Sequence, residues 1–243
     1  MITTAPELIY MLKVNIGIAL FYAFYKLFCC RDTFFQWRRI ALLSFLALSF
    51  LYPLMDMQAW VKEQPAINEL ADYYALMMLT ETNTSTATVV TAPVAIPTPD
   101  LLDIIKFVYW IGILLLSARF MIQLSSIFRL VLKSKNINVD QISIRSLSEP
   151  ANPFSFWQWI FIYLPGLKED EKQEILTHEQ THVRQWHSID VIISEIVNII
   201  CWMNPFAWLL KTEIRLNLEY LADHKVMAVS YTHLRAHETG AYL

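Results

Sequence analysis

His178-Glu179-Gln180-Thr181-His182 decides how this chain is read. On a helix, two histidines four residues apart lie on one face, about 40° apart in projection. Their imidazoles can grip a single zinc ion, with Glu179 beside them placed to act on water. The preceding run Lys168-Glu169-Asp170-Glu171-Lys172-Gln173-Glu174-Ile175-Leu176 has the charge pattern of the first turns of a helix, the context the motif needs. A third ligand should follow. Glu219-Tyr220-Leu221-Ala222-Asp223, 37 residues after His182, offers Glu219, with Asp223 one helical turn beyond it.

The other histidines compete weakly. His187 lies five residues past His182, which rotates it off the shared face. A metzincin arrangement would need Gly at 185 and His at 188, where this chain has Gln185 and Ser188. His187 is therefore read as a helix-end residue or as a group behind the ligands. His224 and Tyr220 are candidates for stabilising the oxyanion, without a geometric argument. His233 and His237 have ligand-like spacing, but no Glu follows the first, and no role is expected of them.

The chain is 56% hydrophobic and 17% charged, with a mean hydropathy of +0.38. That is too apolar for an ordinary soluble domain and points to a lipid bilayer. Four glycines leave no room for a Gly-rich phosphate loop or a dinucleotide fingerprint. A net charge of −3 with no basic tract gives direct nucleic-acid binding no support. Cys29, Cys30 and Cys201 have no zinc-like spacing and read as thiols of a reducing compartment.

Three runs have the length and character of membrane spans, at about residues 8–28, 40–55 and 101–125. Lys26, Arg31, Arg38 and Arg39 lie between the first two, and Arg129, Lys133 and Lys135 follow the third. The 56–100 loop is acidic. Basic flanks stay in the cytoplasm, so the N-terminus and the 56–100 loop are expected outside, and everything from about 133 onward inside. The first run is read as an anchor rather than a removed signal peptide. In the outer loop, residues 65–78 are expected to form a short amphipathic helix and 81–100 a linker. Beyond the spans, 142–147 alternates as a half-buried strand does, and 157–164 reads as a second strand closed by Pro165-Gly166. The fold class expected is thus mainly α and integral to the membrane. Three transmembrane helices (domain 1–132) lead to a cytoplasmic α+β domain with a small sheet (133–228).

Ile189–Leu210 is apolar enough to be a fourth span. It is expected not to cross, because His182 before it and Glu219 after it must meet one ion, and a crossing would separate them by about 30 Å. Asn204-Pro205 is the expected turn, with a second helix from about Phe206.

Pro153-Phe154-Ser155-Phe156, the H-E-x-x-H run and the Glu219/Asp223 motif together resemble the membrane metallopeptidases of the BlaR/MecR antirepressor type, over most of residues 1–228. The resemblance implies a gluzincin domain that binds Zn2+ through His178, His182 and Glu219. It implies Glu179 as general base and Asp223 as the partner orienting a histidine ligand. It also implies a multi-pass protein of the bacterial inner membrane that cuts itself or a cytoplasmic transcriptional repressor. No further span or penicillin-binding sensor follows within these residues. The alternatives are a housekeeping protease of the HtpX/Ste24 type and a zinc-binding signalling scaffold without turnover. Residues 229–243 resemble a translated sequencing adapter, and the native sequence is expected to be cut short near Ala228, leaving an artefactual or disordered tail.

Overall fold

The computed structural model describes residues 6–31, 33–55, 101–139 and 142–240. The amphipathic helix and linker expected within 56–100 lie outside these residues. Among the described residues, three helices are long and apolar enough to cross a membrane. α1 (Pro6–Phe24) continues into a π-helical turn, Tyr25–Cys29. α2 (Phe35–Leu51) runs on through a 3₁₀ turn to Leu54, starting five residues before the expected span. α3 (Leu101–Lys133) continues past the expected end at 125 and has no fully buried residue along its length. So long and apolar a helix left uncovered suits a membrane protein.

A four-stranded sheet follows, ordered β1-β2-β4-β3: β1 (Lys135–Val139), β2 (Ile142–Ser146), β3 (Phe154–Phe156) and β4 (Trp159–Ile162). Two strands were expected. β1 is polar, and β3 is only three residues long, so neither shows a clear period. The expected second strand begins at Trp159 because Trp157-Gln158 form a hairpin turn. β2 pairs parallel to β4, while β1 and β3 pair antiparallel to their neighbours. Ile160, Phe161 and Ile162 are all buried, as befits a strand covered on both faces.

Three helices complete the chain: α4 (Glu169–Arg184), α5 (His187–Ile200) and α6 (Pro205–Gly240). The 189–210 run is a helical hairpin, as expected from the ligand argument. Its turn opens at Cys201, a little before Asn204-Pro205. Asn204 caps α6, its Oδ1 accepting the Phe206 N–H at 3.0 Å, and Pro205 fills the first helical position, where no N–H is needed. The backbone of α6 continues through Gly240, so the segment expected to be a tail is helical up to there.

One apolar core joins α1, α2, α5 and α6. Val14 and Ile18 of α1, Leu42 and Leu46 of α2, and Val197 of α5 pack around a stripe on α6: Ala207, Leu210, Ile214, Leu218 and Leu221. The three- and four-residue spacing puts that stripe on one helix face. Polar ties reinforce it at one end. Glu213 of α6 accepts from Lys26 at 2.5 Å and Tyr25 at 3.1 Å, and Arg38 donates to the Tyr25 hydroxyl at 2.7 Å. The Asn217 amide donates to the Phe35 carbonyl at 3.0 Å.

Candidate metal centre

α4 starts with Glu169, Asp170 and Glu171 in its first turn, where carboxylates favour the positive end of the helix dipole. Glu171 also accepts from the Lys168 backbone N–H at 3.4 Å. The helix carries His178, Glu179 and His182 to its last turns. There the chain turns sharply through Trp186, which sits at φ 57°, a region that suits few residues other than glycine. Trp157, at the start of the β3–β4 turn, has the same φ. The two indoles meet edge-to-face at 5.1 Å, and the Trp157 backbone N–H donates to Ser188 Oγ at 2.8 Å. The two strained turns thus brace each other beside the site.

His178 and His182 present their Nε2 atoms to each other at 3.1 Å. Glu219 Oε2, from α6, lies 3.4 Å from the first and 3.8 Å from the second. These three groups could hold a metal ion. A tetrahedral zinc with ligands at ~2.0–2.1 Å needs donors roughly 3.3 Å apart, so the set fits that ion.

The hydrogen bonds behind the histidines fix their tautomers. His178 Nδ1 lies 3.0 Å from Asp223 Oδ1, so it carries the proton and Nε2 keeps its lone pair. His182 Nδ1 lies 2.8 Å from His187 Nδ1. His187 Nε2 in turn lies 3.3 Å from Gln185 Oε1, an acceptor that also takes a bond from Gln36 Nε2 at 3.0 Å. His187 therefore donates from Nε2 and accepts at Nδ1 from His182, which leaves His182 Nε2 free as well. His187 faces the far side of the His182 ring and sits behind the ligand set rather than in it. The spacing in sequence had excluded it from the shared face, but only the Trp186 corner brings it against His182.

The electrostatics suit a cation. The hydrogen bond to Glu219 raises the pKa of His178 above the usual imidazole value, despite burial, and the same contact lowers that of Glu219. A proton on His178 stands where a metal would. Burial lowers the pKa of His182. It pushes His187 down to about 3, helped by His182 and Arg39. Glu179, itself buried, is raised by desolvation, with a hydrogen bond to Ser155 acting against the shift.

A cleft of about 850 Å³ opens over the group. Its walls include Pro153 to Phe156 around β3, and Glu179 and the three candidate ligands from α4 and α6. Tyr220 and His224 are not among the cleft residues. Both pack against Phe35, with ring centroids 5.5 and 6.1 Å away, on another face of α6. The structure therefore gives neither the oxyanion role considered for it. Ser155 entered the sequence reading only within the Pro153–Phe156 run and without a role, since nothing in its spacing links it to Glu179.

No curated protein matches this chain. The family model described as BlaR1 peptidase M56 matches residues 13–239, which takes in most of α1, the whole of α2 and α3, the sheet and every residue of this site, and the chain belongs to that family.

Proposed function

We propose that this protein is a membrane-embedded zinc metalloendopeptidase that cuts itself or a repressor-like cytoplasmic regulator in response to a signal across the bilayer. The observation that carries the reading is the triangle of His178 Nε2, His182 Nε2 and Glu219 Oε2, with buried Glu179 beside it in the same cleft. His178, His182 and Glu219 would hold the ion. Zinc, when bound, supplies a Lewis acid that acidifies water and polarises a scissile carbonyl. Glu179 takes the proton from the attacking water and passes it to the leaving amine, and its burial brings its basicity closer to neutral pH. Asp223 and His187 select the neutral tautomers whose Nε2 lone pairs face the ion. β3 is an edge strand lining the cleft, so an extended peptide can add to the sheet there and lie across Glu179.

Contacts between the basic 26–39 region and the metal domain support a cytoplasmic position for the site. Lys26 and Arg39 pair with Glu213 and Asp190, so this loop and the site lie on one side. By the basic-flank rule that side is the cytoplasm. In this arrangement the N-terminus is outside.

The test compares cytoplasmic proteins, and the chain itself, in cells carrying wild type or Glu179→Gln. Fragments that depend on Glu179 are expected. Identical fragment patterns from the two would overturn the assignment.

A further inference from the structure

We propose that Arg39, in the first turns of α2, is a positioning residue for His182, acting through Gln185 and His187, so that the end of an apolar helix governs how tightly the site holds its metal. The inference rests on the metal reading of His178, His182 and Glu219.

Arg39 spans the α4–α5 corner. Its Nε donates to Asp190 Oδ2 at 2.6 Å, in the first turn of α5. Its Nη2 donates to the carbonyl of Gln185 at 2.8 Å, at the end of α4. The guanidinium fork thus holds the two sides of the left-handed Trp186 turn together, a geometry lysine cannot copy. Asp190 is nearly buried and has this one ion pair among the described residues. Removing Arg39 would leave a buried carboxylate without its cation, and the corner would have to move.

That corner determines where His187 sits. Held there, His187 accepts at Nδ1 from His182 and turns its other nitrogen to the Gln185 amide, which Gln36 of α2 also bonds. The path from Arg39 to His182 runs from the Gln185 carbonyl at 2.8 Å, through the Gln185 side chain to His187 at 3.3 Å, and from His187 to His182 at 2.8 Å. The same end of α2 also holds the other half of the ligand set. Phe35 accepts from Asn217, and Arg38 lies 4.0 Å from Glu213, both on the helix that carries Glu219. A shift or rotation of α2 therefore changes the supports of both His182 and Glu219.

The test uses the full chain in lipid nanodiscs, stripped of metal and titrated with Zn2+ against a chromophoric chelator. Co2+ absorption serves as a second readout of ligand geometry. Wild type should bind one equivalent, and His182→Ala should not. If wild type fails to bind, the metal reading fails and takes this inference with it. Given binding, Arg39→Gln and His187→Leu should each weaken affinity about 10- to 100-fold and alter the Co2+ spectrum. His187→Gln, which keeps an acceptor for His182, should recover most of the loss. Arg39→Lys, which keeps one bond, should fall between. Wild-type affinity in both Arg39→Gln and His187→Leu would overturn the inference while leaving the metal site standing. Should Arg39→Gln fail to fold, Arg39→Lys and the two His187 variants decide. Equal losses in His187→Leu and His187→Gln would reduce the contact to packing and also overturn it.

Discussion

The side-chain amide of Asn204 donates to the backbone oxygen of Asn15 at 3.0 Å, which pins the turn between α5 and α6 against the middle of α1. The hairpin thus enters alongside the apolar helices and returns. Cys201 and Asn204 at the two ends of the turn are buried, while Met203 between them is exposed. Asn204 itself is almost fully buried.

Asn204→Ala removes this bond and the cap of α6 together. A loss of about 1–3 kcal/mol of stability is expected, read as a fall in the midpoint of thermal unfolding in nanodiscs. Asn204→Asp keeps the cap acceptor and loses the donor, so it should retain part of the stability. The hairpin also predicts labelling. Cysteines placed at Arg184 and Arg215 should react with an impermeant reagent from the same side of the membrane. Labelling from opposite sides would sink both the hairpin and the shared ligand set.

Asp223 is the counterpart of His187 on the other histidine. Asp223→Ala should lower zinc affinity about 10- to 100-fold, because His178 loses the acceptor that selects its tautomer. Glu219→Ala, which removes a candidate ligand, should cost more. The metal content of the purified variants checks the order. A variant lacking Glu219 with wild-type zinc content would remove it from the set.

Acid should expel the metal at His178 first. Its pKa lies above the ordinary imidazole value of 6.5 through the contact with Glu219, so below that raised pKa a proton competes with zinc. Apparent affinity should fall about tenfold per pH unit there, and binding should release about one proton. The sign reverses for the metal-free protein. Protonated His178 stabilises that fold, fully so below the unfolded value, and the benefit fades as pH rises through the folded one. Isothermal titration in buffers of different ionisation enthalpy measures the proton. An affinity that rises with acidity would contradict the assignment.

Gly112 marks where α3 meets the hairpin. A Cβ there would collide with the Trp202 ring, and Trp202 Nε1 donates to the Tyr109 carbonyl at 3.3 Å. Gly112→Ala should therefore push the two apart, at a cost of about 1–3 kcal/mol. Trp202 emission and thermal unfolding report it. No change in either would show that α3 docks elsewhere.

Local spacing alone carried much of this. Residues 178, 179 and 182 share a helix whose charged start was visible, and their i, i+4 relation is fixed by helical geometry. The three apolar helices were legible because length and composition suffice to find them, though α2 and α3 extend beyond the apolar runs. The return of Glu219 to His182 was also legible, since one ion cannot be shared across a bilayer. Tertiary structure decided the rest. Residues 135–139 and 154–156 became strands only because β2 and β4 offered edges to pair with. Tyr220 and His224 turned away from the cleft because α6 places them against Phe35. His187 came to rest on His182 because Arg39, 148 positions earlier, clamps the corner between them. Such contacts join residues far apart in sequence, so no period or spacing in the chain records them.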